Sequence, residues 1–115
     1  MADADILVAC LCAQWCGTCR EYAPAFAQLG ARLAPVRFVW VDVEDACELV
    51  DPVEVENFPT LLIAAGDEPR FFGALAPQPQ LLERIVRDCA SAGGDPSLAA
   101  RADLRALVQR VRTLA

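Results

Sequence analysis

The chain contains no histidine. That one absence removes Ser-His and Cys-His catalysis together with the commonest zinc ligand. No apolar run approaches the roughly 18–20 residues needed to span a membrane. The longest, Ile6 to Ala13, follows Asp3 and Asp5, whereas an export signal wants a basic start, so a strand and a cytoplasmic address are expected. No clustered basic face is visible: Arg residues are scattered, chiefly through the second half, and the net charge is −6. Nucleic-acid binding is therefore not expected, nor a membrane partner. Neither GxGxxG nor a P-loop occurs, so no organic cofactor is anticipated. Internal repeats and low-complexity tracts are missing as well.

What the chain does have is cysteine, six in 115 residues. These are Cys10, Cys12, Cys16, Cys19, Cys47 and Cys89, and four of the six fall within one ten-residue window. A secreted chain with this count would suggest a disulfide framework. Here the 56% hydrophobic content is ample for a core without staples, and clustered cysteines would tie down only a local loop. Catalytic thiols in a reducing compartment are the better reading.

The informative stretch is Trp15-Cys16-Gly17-Thr18-Cys19. It places two thiols at i and i+3, after a strand-like run and at the start of an expected helix. A helix N-terminus offers unpaired N–H groups and the positive end of the dipole to a thiolate, which is the attacking species in disulfide exchange. Two thiols on one turn are also near enough to close a disulfide, and so to pass two electrons to another protein's disulfide. The competing reading is a structural or metal-binding pair, with Cys10 and Cys12 completing four thiolates for zinc or an iron–sulfur centre. Strand alternation points Cys10 and Cys12 to one face of an apolar run, where buried small hydrophobes explain them better, with a side role in redox chemistry open for Cys12. Cys47 and Cys89 read as bystanders, Cys89 continuing the apolar stripe of its helix.

The continuous run Ile6–Ala13 reads as a strand covered on both faces. A helix is expected from Cys16 to about Leu33, kinked at Pro24. Val36–Asp42 is β-branched and aromatic, a second strand, and Glu44 to about Val50 suits a short helix. Thr60–Ala65 and Arg70–Gly73, joined by Gly66-Asp67-Glu68-Pro69, make a hairpin. Leu81, Leu82, Ile85, Val86 and Cys89 recur at helical spacing between Pro79 and Ala90. Ser91–Gly94 is a small-residue linker. Asp95-Pro96-Ser97 then opens a last helix running to about Leu114, with an apolar stripe of Leu98, Leu104, Leu107, Val108 and Val111.

This order of elements, with WCxxC behind the first strand and Phe58-Pro59-Thr60 opening the third, resembles the thioredoxin family. The resemblance covers about residues 5 to 90 and is carried by the Ile6-Leu7-Val8 run, Trp15–Cys19, Phe58–Thr60 and Gly73. It implies an α/β, thioredoxin-like fold: a central mixed β-sheet of about four strands flanked by helices, with an extra C-terminal helix. It further implies a protein-disulfide oxidoreductase in which Cys16 is the exposed nucleophile and Cys19 the buried resolving thiol. On that pattern the redox centre is a Cys16–Cys19 disulfide. Trp15, Gly17, Thr18, Phe58 and Pro59 would face the substrate, the peptide before Pro59 being cis. Disulfide-containing protein substrates and a recycling reductase, such as a thioredoxin reductase, are the implied partners.

Three departures from the family pattern bear on the chemistry. Gly17-Thr18 stands where Gly-Pro is usual, which leaves the redox poise open. Cys10 occupies the place of a buried Asp that relays a proton to the resolving cysteine, and a thiol with a free pKa of about 8.5 is a poor base near neutrality; resolution is then slow, or uses Glu44 or water, Glu44 otherwise reading as a solvated loop charge. Third, the chain begins almost directly on the strand that family members reach after an extra strand and helix. Residues 1–91 would then form a shortened thioredoxin-like domain, with the 36–42 strand at a sheet edge where another chain could pair. Residues 92–115 would supply an amphipathic helix packing on the same domain or on a partner chain, so a homodimer through the edge strand or this helix is an expected mode. The alternative functions are a thioredoxin-fold binding or scaffold subunit with slow or no turnover and, less favoured, a metal-binding module.

Overall fold

The computed structural model describes residues 6–13, 16–33, 36–45, 55, 59–91 and 96–114. Four strands, β1 (Ile6–Cys12), β2 (Arg37–Asp42), β3 (Thr60–Ala65) and β4 (Glu68–Ala74), form one mixed sheet in the order β2-β1-β3-β4. β1 pairs parallel with β2 and antiparallel with β3, and β3 pairs antiparallel with β4. Among the described residues four helices accompany them: α1 (Gly17–Arg32), α2 (Pro79–Ser91), α3 (Pro96–Ala99) and α4 (Ala102–Arg112).

β1 is apolar throughout because both its faces are covered; every residue from Ile6 to Cys12 is buried. Period-two alternation divides its side chains between two cores. Ile6, Val8, Cys10 and Cys12 join Leu61 and Ile63 under α1 and α2, which contribute Cys19, Tyr22, Phe26, Leu29, Leu82, Val86 and Cys89. Leu7, Ala9 and Leu11 face the other way, with Val39, Val41, Leu62 and Ala64, onto Leu104, Leu107, Val108 and Val111 of α4. The C-terminal stripe thus lies on the sheet of its own chain.

Helix α1 runs unbroken through Pro24, which is exposed. Its close approach to β2 depends on Gly30, where an added Cβ would sit 2.9 Å from Phe38 Cβ. Phe26 centres an aromatic cluster there, 5.0 Å from the Phe38 ring and 5.6 Å from that of Trp40. Arg32 of α1 pairs with Glu83 of α2, and Arg87 adds a second bond to Glu83 at 2.7 Å.

The β3–β4 hairpin turns on two residues, since Ala65 pairs with Glu68. Gly66 takes φ +59° and Asp67 does not take a positive φ, the pattern of a turn that requires glycine first. A register shift at Ile63/Ala64 sets Pro69, which has no N–H to give, opposite Ala64 on the outer strand. Phe71 and Phe72 fall on opposite faces, one in each core.

The last helix differs from the single segment expected over Pro96–Leu114. It breaks at Ala100–Arg101, where Arg101 adopts an extended backbone (φ −81°, ψ 111°) ahead of α4. Leu98 lies six residues before Leu104, about 240° away around a continuous helix, so it would point off the stripe. The break returns it to the α4-side core. Asp103 holds the corner, accepting from the Arg101 guanidinium at 2.6 Å and from the Leu104 N–H at 2.9 Å. At the far end Arg112 donates to the Gly66 carbonyl at 2.7 Å, fastening α4 to the hairpin. The expected helix over Glu44–Val50 lies outside the described residues beyond Asp45, as does the Asp95 cap. Val43–Asp45 form a turn in which Asp42 Oδ1 accepts from the Glu44 and Asp45 N–H groups.

Candidate functional site

The sheet topology brings three chain segments to one end of the molecule. β1 leaves the sheet at Cys12, α1 begins five residues later, and β3 enters opposite β1, with Thr60 paired to Leu11. Pro59, just before Thr60, is therefore level with Cys12, and it is buried. Trp15 and Phe58, both expected to face substrate, lie outside the described residues, and so does the peptide before Pro59 that was expected to be cis. Cys47 lies outside them too.

Cys16 is the N-cap of α1, with φ −84° and ψ 116° and no side-chain cap bond. Its N–H donates to the Ala13 carbonyl at 3.0 Å, and its carbonyl accepts from Arg20 N–H at 3.1 Å, closing the first helical turn. The side chain is part-exposed, carries a free thiol and packs against the α1-side core. This position sets its sulfur at the positive end of the helix dipole, where an anionic side chain is favoured. Gly17 and Thr18 are exposed beside it. A shallow cleft of about 290 Å³ opens alongside, lined by Thr18, Glu21, Tyr22, Ala25, Pro77 and Pro79.

One turn further on, Cys19 faces inward and is 1% exposed. Its disulfide partner in this structure is Cys12, and not Cys16 as the resemblance implies. The reason is positional. Cys19 projects from the buried side of α1 onto the sheet, and its Cα lies 5.9 Å from that of Cys12, inside the span a disulfide bridges without backbone movement. Cys16, at the extended N-cap, is left as a thiol.

Cys10 Sγ lies 3.6 Å from Cys12 Sγ. With Cys12 bonded, Cys10 carries the only hydrogen of the pair and is the donor. Burial pushes the Cys10 thiol up to about 12, so this residue keeps its proton and does not replace the buried acid of the family as a base. Tyr22, on α1 one turn after Cys19, is also raised, by burial first and then by Cys10, and its buried hydroxyl has no hydrogen-bond partner among the described residues. Cys89 belongs to the same core, its thiol raised chiefly by burial. Glu44 is exposed in its turn beyond β2. Among the described residues no group of three or more His, Cys, Asp or Glu side chains is arranged to hold a metal ion.

Strand alternation correctly placed Cys10 and Cys12 together on one apolar face. What it missed is that this face is the one Cys19 enters, so that Cys12 is bonded and not merely packed. The signal was the spacing itself: Cys12 ends the strand and Cys19 follows on the first turn of the next element.

Residues 1–87 match the family model for thioredoxin. The chain belongs to the thioredoxin family. Among its relatives, thioredoxin H2-1 of Oryza sativa subsp. japonica is 38% identical over 56 residues, which is 49% of this chain and 41% of that protein. Thioredoxin H4-2 of the same plant is 29% identical over 87 residues, 74% of this chain and 64% of that one. The chain thus spans less than two thirds of the length of these curated relatives. Among solved structures, thioredoxin from Trypanosoma brucei brucei superposes with a TM-score of 0.68 at 25% identity, covering 80% of each chain. The oxidized mitochondrial thioredoxin 3 of Saccharomyces cerevisiae gives 0.65 at 28% identity, over 73% of this chain and 78% of that one. The thioredoxin-like fold therefore stands on both the sheet topology and its structural neighbours.

Proposed function

We infer that this chain is a thiol–disulfide oxidoreductase working through the Cys16/Cys19 dithiol. The observation that carries the reading is the placement of Cys16: a free, part-exposed thiol at a helix N-cap, one turn before a buried second cysteine. In the reduced protein the Cys16 thiolate attacks one sulfur of a substrate disulfide. A mixed disulfide forms, and the other substrate sulfur leaves as a thiolate. Cys19 then attacks Cys16 Sγ, releasing the second substrate thiolate and leaving a Cys16–Cys19 disulfide. Two electrons pass to the substrate and none remain unaccounted for.

Disulfide-bearing proteins are the substrates of this reading, an extended segment lying against the exposed Gly17 and Thr18; Trp15, Phe58 and Pro59 are the further contacts that family membership implies. The cleft beside Thr18 and Glu21 is open for such a segment. A dithiol reductase of the thioredoxin reductase kind would recycle the enzyme, in a cytoplasmic setting where thiols stay reduced. No described helix is long and apolar enough to cross a membrane. β2 ends the described sheet, and its outer edge is the surface through which two copies would pair. The C-terminal segment, residues 92–115, belongs to the same folding unit on this reading; the support is that the apolar side of α4 packs on the sheet of its own chain.

A second reading, a thioredoxin-fold binding subunit with little turnover, draws on one specific observation: Cys19 is bonded to Cys12, so no resolving thiol is free in this state. Insulin reduction with dithiothreitol, run beside Cys16→Ser, separates the two. The oxidoreductase reading expects loss of nearly all acceleration in the variant; equal rates for both proteins would remove it.

A further inference from the structure

We propose that Cys12 is a third redox-active cysteine, which takes Cys19 from the Cys16–Cys19 disulfide and stores the oxidation in a buried Cys12–Cys19 bond. The proposal rests on the oxidoreductase reading and deepens it. Three observations support it. Cys12 and Cys19 are joined in this structure while Cys16, at the mouth of the site, remains a thiol. Both bonded cysteines are sealed from solvent, at 0% and 1% exposure. Cys10 Sγ lies 3.6 Å from Cys12 Sγ and offers it an S–H, and in the same core the buried Tyr22 hydroxyl has no partner among the described residues.

The step is an internal exchange. The Cys12 thiol gives up its proton, and its sulfur attacks Cys19 Sγ from the sheet side. The Cys12–Cys19 bond forms as the Cys16–Cys19 bond breaks, and the electron pair leaves on Cys16 Sγ. No electrons enter or leave the chain; the proton released by Cys12 ends on Cys16 or in solvent. The original oxidant is the substrate disulfide already consumed. The direction is favoured at the leaving end, because the departing thiolate sits at the N-cap of α1, where the dipole stabilises it. At the attacking end, Cys10 donates a hydrogen bond to the Cys12 sulfur, easing a thiolate inside an apolar core.

Two consequences separate this from an ordinary two-cysteine cycle. Cys16 is regenerated as a nucleophile while the protein is still oxidised. The buried disulfide can be reduced only through Cys16, since no solvent-borne thiol reaches Cys12 or Cys19.

The test is a map of which cysteines are oxidised after reaction with a protein disulfide. Fully reduced protein is mixed with insulin, quenched in acid, and blocked with N-ethylmaleimide under denaturing conditions. It is then reduced and labelled with iodoacetamide, and each cysteine is read by fragment mass spectrometry. The proposal expects Cys12 and Cys19 to lose the maleimide label together while Cys16 keeps it, and Cys12→Ala to shift the loss to Cys16 and Cys19. Loss at Cys16 and Cys19 in the wild type, with Cys12 maleimide-labelled throughout, overturns the relay and leaves the dithiol reading standing. No loss at any cysteine overturns both. The wild-type map decides without the variant, so a Cys12→Ala protein that fails to fold does not remove the test.

Discussion

Leu107→Ala probes the face of the sheet that α4 covers. Leu107 is 0% exposed and packs with Leu104, Val108 and Val111 against Leu7, Leu11, Val39, Val41 and Leu62. Truncating a fully buried leucine costs about 2–5 kcal/mol, the transfer loss plus the cavity left behind. For a chain of this size each kcal/mol moves the melting temperature by roughly 4 °C, so a fall of about 8–20 °C is expected by circular dichroism. Leu114→Ala is the matched control: Leu114 is 51% exposed, and a surface change stays within about 0.5 kcal/mol. Deleting residues 95–115 removes all four buried α4 side chains, at about 1.5–3 kcal/mol each. That sum, about 6–12 kcal/mol, matches the whole stability of a typical domain, so the shortened chain should show no cooperative melt. A Leu107→Ala protein melting within about 2 °C of wild type would refute the claim that α4 completes this core on its own chain.

Gly30→Ala should destabilise despite alanine's better helix propensity, because its Cβ would lie 2.9 Å from Phe38 Cβ. Overpacking costs about 1–3 kcal/mol against about 1 kcal/mol of propensity gained, giving a net loss of up to about 2 kcal/mol in a denaturant titration. The Glu83 carboxyl is held below the usual carboxylate range by hydrogen bonds from Arg87 and Arg32. Its contribution is therefore present above the ordinary carboxylate pKa and lost as pH falls through the lowered one. Glu83→Gln should flatten the acid limb of melting temperature against pH, most clearly at low salt. In reduced native protein at mildly alkaline pH, iodoacetamide should label Cys16 long before Cys10 or Cys89, whose thiols are raised by burial; peptide mapping over time reads the order.

Much of the fold could be read from the chain because the deciding patterns are local. Seven successive apolar residues at Ile6–Cys12 announce a strand covered on both sides. Gly66-Asp67 marks the hairpin, and the spacing of Leu82, Val86 and Cys89 marks the buried side of α2. The break at Ala100–Arg101 was harder, although Leu98 stands off the phase of Leu104, Leu107 and Val111; a stripe counted without its angles hides such a break. The bonding of Cys12 to Cys19 was only hinted at by their spacing. Alternation tells which face a strand residue takes, whereas pairing depends on how closely the first turn of α1 settles on that face. Cys10, in the position of a buried acid, was legible as a departure, and its burial explains why it holds its proton.

The most direct test of the account is to trap the first covalent step. Cys19→Ser removes the thiol that resolves the mixed disulfide, so the reduced variant, mixed with insulin and quenched in acid, should accumulate a stable adduct. Mass spectrometry should place that adduct on Cys16, the part-exposed thiol at the N-cap of α1. An adduct on another cysteine, or none under conditions where free dithiothreitol reduces insulin, would contradict the assignment of Cys16 as the nucleophile.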